Sequence, residues 1–154
     1  MTQYAQESAL NAAGRFGRFS YLAWNCLLAI VASIILGIFF AIFPNTFVNL
    51  ETGNFGGGMI FIILIYVALM YFTFVFTIRR LHDRNHTGWL SLLMLVPLAN
   101  VILMLYLIFA PGDDRSNSYG SPRPTAGWEA VLAWIYIVIF VLAIIGGIAA
   151  GFMS

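Results

Sequence analysis

The sequence predicts an all-α membrane protein, a small bundle of four apolar helical segments. The chain of 154 residues is 62% hydrophobic and 8% charged, and its mean hydropathy is +0.93. Its apolar residues fall into four runs, each about as long as the 20 or so residues that a helix needs to cross a bilayer. We therefore expect a cytoplasmic N-terminal segment at 1–20 and a single transmembrane domain at 21–153, with segments at about 21–43, 59–78, 89–110 and 128–153.

The first segment reads as an uncleaved signal anchor. Arg15 and Arg18 stand just before the apolar run 21–43, so the positive-inside rule places the N-terminus in the cytoplasm. Pro44 ends the run, and the residues from 44 to 57 contain no Arg. That composition is typical of a short loop on the opposite side of the membrane.

A dense polar stretch, residues 79–89, follows the second apolar run at 59–78. It contains three of the seven Arg and both His of the chain. Hydrocarbon does not solvate such groups, so the stretch must lie at the membrane surface or in a packed pocket beneath it.

The third segment, 89–110, is interrupted by Pro97 and admits two interpretations. Proline is tolerated inside spanning helices, which favours a kinked third span. Two half-helices hinged at Val96-Pro97-Leu98 would form a re-entrant hairpin instead. If this segment spans the membrane, Arg115 and Arg123 lie on the side opposite to the cytoplasm. If it forms a hairpin, all seven Arg lie on the cytoplasmic side.

The last segment follows a loop, 111–127, that is rich in turn-forming residues. Glu129 lies in its first turn, where a carboxylate suits a helix N-terminus. Ala143, Gly147 and Gly151 recur every four residues, which would allow close helix approach and predicts a homo-oligomer.

Three separated motifs resemble one known family. They are Gly14-Arg15-Phe16-Gly17-Arg18 followed by Tyr21 and Trp24, Arg79-Arg80-Leu81-His82-Asp83 followed by Gly88-Trp89, and Gly112 followed by Asn117-Ser118-Tyr119-Gly120-Ser121-Pro122. In order and spacing they are similar to the bacterial inner-membrane family called domain of unknown function 805, over roughly residues 14–124. The resemblance implies a small multi-pass protein of the bacterial cytoplasmic membrane without an established activity. Ser20 stands where that family often has an acid.

The Arg and Asp of the three motifs are expected to meet, with Asp83 as the central acceptor. On a helix, Arg79 and Arg80 precede it by four and three residues, so both reach its carboxylate. Arg15, Arg18 or Arg115 would complete the shell if the motifs converge.

A metal site is the weaker interpretation of the same stretch. His82 and His86 are four residues apart, a spacing that metal sites use, and a third ligand would come from Asp113, Asp114 or Glu129. Two histidines alone are a weak motif, and a histidine at the interface needs no metal. We predict no metal and no cofactor.

The sequence therefore favours a non-enzymatic, homo-oligomeric inner-membrane protein that supports the envelope and binds membrane lipids or an envelope protein. The net charge of +1 argues against nucleic acid as a partner. The candidate binding residues are Arg15, Arg18, Arg79, Arg80, His82, Asp83, Arg84 and Trp89, with Arg115 and Asn117 as further candidates.

Two other functions remain open. A small transporter or channel subunit is the first, with Asn25 and Asn100 either lining a polar path or bonding between helices. Against it, no span has an ionisable residue in its middle. A membrane-bound metalloenzyme is the second.

Overall fold

The computed structural model describes residues 11–45 and 57–153, and the regular structure of this part of the chain is helical. No β-strand occurs within those two ranges. The predicted all-α membrane bundle is confirmed. Its elements are α1 (Arg18–Ile42), α2 (Gly57–His82), a short 3-10 helix (Gly88–Leu95), α3 (Pro97–Phe109) and α4 (Gly127–Met153).

Helices α1, α2 and α4 are each long and apolar enough to cross a membrane. They contain 25, 26 and 27 residues, or about 38 to 40 Å at 1.5 Å per residue, against about 30 Å of hydrocarbon. Their outer surfaces are aliphatic, with Ile38, Val67 and Ile145 all more than half exposed. Lipid chains solvate such a surface, whereas water would not.

The three long helices share one polar end. The Ser20 hydroxyl at the start of α1 donates a hydrogen bond of 2.8 Å to Glu129 at the start of α4, so these helices run parallel. Phe39 near the end of α1 stacks on Phe61 near the start of α2, with ring centroids 4.6 Å apart. Helix α2 is therefore antiparallel to both. The last turn of α4 lies at the end of the bundle opposite to the polar end.

The third apolar segment is a re-entrant hairpin, so the kinked span is wrong. At its start, Gly88 lies against Ile78 and His82 of α2. Near its end, the Leu107 carbonyl accepts a hydrogen bond of 2.9 Å from Arg80 Nε, so the segment returns to the end of α2 that it left. Its helix α3 has 13 residues, about 20 Å, which is too short to cross hydrocarbon.

Pro97 explains why the hairpin turns where it does. Val96 is extended, with φ −104° and ψ 115°, and Pro97 occupies the first position of α3. The residue before a proline is biased towards extended conformations, and proline suits a helix start because it has no N–H to lose. Pro97 therefore starts a new helix instead of kinking an existing one.

The helix ends at the polar face differ from the predicted bounds. Helix α1 begins at Arg18, and α2 continues past Ile78 through both arginines to His82. Asn85, with φ 54°, then turns the chain in the left-handed region that favours Asn after a helix. The predicted loop from 44 to 57 falls mostly on residues 46–56, which lie outside the described ranges, as do residues 1–10 of the N-terminal segment.

The core lies in the half of the bundle nearest the polar end. One buried cluster joins α1, α2 and α3 to the segment before α1, and a smaller one joins Leu22 and Ala23 of α1 to Ala133 of α4. The larger cluster consists of Phe16, Tyr21, Val75, Phe76, Leu81, Leu103 and Leu107.

Cysteine labelling tests this topology. In a Cys26→Ser background, we expect Asn11→Cys and Ser116→Cys to react with a membrane-impermeant maleimide from one side and Phe152→Cys from the other. Three crossings plus a hairpin require this pattern, and all three positions are exposed. Labelling of positions 11 and 116 from opposite sides would restore the third span.

Candidate functional site

The polar end is centred on the carboxylate of Asp83, which lies just after α2 and is 4% exposed. Arg15 Nη2 is 3.0 Å from Oδ1, and Arg80 Nη1 bonds to Oδ2. Each carboxylate oxygen therefore has its own guanidinium. We call Arg15, Arg80 and Asp83 the buried clamp.

The arginines of the buried clamp also bind backbone carbonyls. Arg15 Nη1 donates to the carbonyls of Arg115 at 2.8 Å and Gly120 at 3.0 Å. Arg80 donates to the carbonyls of Leu107 and Ala110, at the exit of the hairpin. One ion-pair centre thus holds the loop after the hairpin against the end of α2.

The loop comes close enough to Asp83 to require glycine. The Asp113 N–H donates a hydrogen bond of 2.8 Å to the Asp83 carbonyl. A Cβ on Gly112 would overlap the Asp83 carboxylate itself. Gly112 therefore allows the backbone to cover the carboxylate.

Burial raises the pKa of the Asp83 carboxyl above its ordinary value, because desolvation opposes the charged form. The positive charges of Arg80 and Arg15, together with a hydrogen bond from Arg15, act in the opposite direction and lower that pKa. The carboxylate therefore depends on both arginines to offset its desolvation.

The prediction that Arg79 reaches the Asp83 carboxylate together with Arg80 is wrong. The Arg79 guanidinium carbon lies 4.2 Å from the centroid of the Phe16 ring, and Nη1 donates to the Asn11 carbonyl at 3.3 Å. The Phe16 N–H in turn donates to the Arg79 carbonyl at 3.0 Å. Arg79 therefore fixes the segment before α1 through a cation–π contact.

A second buried carboxylate, Glu129, joins α1 to α4. It accepts hydrogen bonds of 2.8 Å from the Ser20 hydroxyl, the Trp24 indole and Arg123 Nη2. The sequence predicted the place of Glu129 at a helix N-terminus but not these partners, since nothing along the chain links residue 20 to residue 129. Glu129 thus places a carboxylate beside Ser20.

The two histidines do not share a helix face. Helix α2 ends at His82, whose ring stacks on Tyr119 with centroids 3.7 Å apart. His86 lies beyond the turn, with Nε2 2.7 Å from the Tyr106 hydroxyl. Within the described ranges, no group of three His, Cys, Asp or Glu is placed to hold a metal. The metal hypothesis required His82 and His86 on one face of a helix, and the structure does not place them so.

Asn117 caps the end of α2. Its side-chain nitrogen donates to the His82 carbonyl at 2.9 Å, and its oxygen accepts from the Tyr119 N–H at 2.9 Å. Carbonyls in the last turn of a helix need such partners. This candidate binding residue thus serves the fold.

The remaining candidates lie at the surface. Arg18 and Arg115 are exposed, Arg84 is half-buried, and Trp89 is 78% exposed. Arg84 Nε donates to the Tyr106 hydroxyl at 3.1 Å, which keeps its side chain beside the hairpin. We call Arg18, Arg84, Trp89 and Arg115 the outer rim.

These features define a multi-pass membrane protein in which the polar residues of three sequence motifs converge at one end of the helices. The family described as "Protein of unknown function (DUF805)" matches residues 9–121, so the chain belongs to that family. The match contains the buried clamp and the hairpin and ends before α4. No curated protein and no solved structure matches the chain.

Removing the central carboxylate should destabilise the protein. Asp83→Ala leaves Arg15 and Arg80 buried without their shared anion, which typically costs about 3 to 5 kcal/mol. We expect a markedly lower melting temperature for the detergent-purified protein. Asp114→Ala removes an exposed carboxylate and is the matched control. Equal melting of Asp83→Ala and the parent would show that the clamp is solvated.

Adding a methyl group at residue 112 should also destabilise the protein. In Gly112→Ala the new Cβ overlaps the Asp83 carboxylate, so the loop must move away from the clamp. Gly37→Ala places its Cβ in open space on α1 and serves as the control. We expect only Gly112→Ala to lower the melting temperature, and no difference between the two variants would contradict the close approach.

Proposed function

We propose that this chain is a non-enzymatic protein of the bacterial cytoplasmic membrane whose cytoplasmic end binds anionic lipid headgroups and so supports the envelope. The observation that carries the proposal is the gathering of all seven Arg at one end of the bundle. The four acids that the structure describes, Asp83, Asp113, Asp114 and Glu129, lie at the same end and leave it positive. Positive residues favour the cytoplasmic side.

The outer rim is the part of this end that phosphates can reach. Arg15, Arg79 and Arg80 are at most 1% exposed, so they do not reach a headgroup. Arg18 and Arg115 are exposed, and forked arginine donors match phosphate oxygens. Trp89 at the start of the hairpin suits the interfacial depth where tryptophan is enriched. The buried clamp then holds the rim in place.

We also propose that the protein forms homo-oligomers through the C-terminal half of α4, which is the half farther from the polar end. Ala143 and Gly147 lie on an exposed stretch of that helix, and a Cβ at Gly147 would meet nothing within 4 Å. Small residues at this spacing allow two helices to approach closely. Native mass spectrometry of the purified protein would measure the number of subunits in such an oligomer.

Lipid retention tests the headgroup proposal. We expect the purified protein to retain phosphatidylglycerol over phosphatidylethanolamine in native mass spectrometry. In Arg18→Gln/Arg115→Gln this preference should fall by about tenfold or more, since each cation near an anionic surface contributes about 1 kcal/mol.

Arg18→Lys/Arg115→Lys is the matched control, because it keeps both charges and should keep most of the preference. Melting temperatures should be unchanged, since both side chains are exposed. Equal retention of the two lipids by the parent would overturn the proposal. The cytoplasmic orientation is checked separately, since Asn11→Cys should label only in permeabilised cells.

A further inference from the structure

A cavity of about 240 Å³ lies within the bundle, where α1, α2, α3 and α4 face one another. Met94, Leu103 and Leu107 form part of its apolar wall. None of the described residues that line it is Asp, Glu, His, Lys or Arg. Its polar wall carries two amides and four hydroxyls, on Tyr21, Asn25, Thr73, Thr77, Asn100 and Tyr136.

These polar groups lie below the membrane surface. Asn25 follows the start of α1 by seven residues and Thr73 precedes the end of α2 by nine, which places them about 10 to 14 Å into the bundle at the helical rise. A polar group at such depth is costly unless it is hydrogen-bonded.

Two of the six polar side chains are hydrogen-bonded to the backbone of their own helix. Asn25 Nδ2 donates to the Tyr21 carbonyl and Thr73 Oγ1 to the Leu69 carbonyl, both at 2.8 Å. Thr77 is completely buried and has Tyr21 as a polar neighbour. Its Oγ1 makes no hydrogen bond of good geometry within the described part of the chain. Thr77 has no surface that a ligand could reach, so the polar groups available to a ligand are those of the half-buried Asn25, Thr73, Asn100 and Tyr136.

We propose that this cavity binds the uncharged head group of an amphiphile with hydroxyl or ester groups, while its apolar tail remains in the bilayer. The lining offers hydrogen-bonding groups but no charged side chain, so we expect the ligand to be uncharged. The inference is independent of the outer rim, because it concerns a neutral ligand inside the bundle and not an anion at the surface.

The size of the cavity limits what enters it. A cavity of about 150 Å³ accepts a benzene ring, whereas sites for whole drug-sized molecules need about 300 Å³ or more. The observed volume therefore suits a glycerol-sized head group and excludes a complete lipid. Asn100 and Tyr136 are half-buried and Met104 is exposed, so the cavity opens towards the lipid between α3 and α4.

Two probes with the same acyl chain test the proposal. Monoolein carries a glycerol head with two hydroxyls and an ester, and methyl oleate carries the ester without the hydroxyls. We expect the full-length protein to retain monoolein about tenfold more than methyl oleate in native mass spectrometry, as one or two additional hydrogen bonds would give. Equal retention of the two would overturn the proposal and leave the cavity to water or lipid chains.

Substitutions in the cavity locate the site. Asn100→Leu and Tyr136→Phe should each reduce monoolein retention by about five- to tenfold, and Ser33→Ala, which removes an exposed hydroxyl elsewhere on α1, should not. Unchanged retention in both cavity variants would exclude this site.

Discussion

The Asp83 carboxylate holds the polar end together because four separate parts of the chain meet around it. Arg15 comes from the segment before α1 and Arg80 from α2, and both continue past the carboxylate to carbonyls of the hairpin exit and the following loop. A carboxylate out of water is costly unless it is paired and hydrogen-bonded. The parts that complete this shell are therefore bound to one another, although they are far apart in sequence.

Arginine suits this role for a geometric reason. Arg15 contacts a carboxylate oxygen and four carbonyls, those of Asp83, Asp113, Arg115 and Gly120, with one planar group. A lysine has three donors on a single atom and cannot reach acceptors spread around a plane. The absence of lysine from the chain thus agrees with a polar end in which cations organise the backbone. The same use of their donors leaves the buried arginines out of the proposed lipid binding, which we assign to the outer rim.

The sequence was sufficient to predict the family, the long apolar helices and Asp83 as the central acceptor, because these depend on composition, motif order and local spacing. It could not decide the course of residues 89–110. Proline occurs both within spanning helices and at helix starts, and contacts between distant residues, such as that of Arg80 with the Leu107 carbonyl, show which applies. The contacts of Glu129 and Arg79 could not be predicted for a similar reason, since their partners Ser20, Trp24 and Phe16 lie far away along the chain.

The hairpin links the clamp to the cavity. Arg80 fixes the end of α3 at Leu107 and Ala110, and one turn earlier Leu103 packs against α1 and α2 in the core. Asn100 lies about one turn before Leu103, near the tip of the hairpin, and faces the cavity. The depth of Asn100 in the membrane is thus set from the polar end, through a rigid helix of 13 residues. A change in the clamp that moved α3 along its axis would therefore move Asn100 relative to the polar groups that α1, α2 and α4 contribute to the cavity.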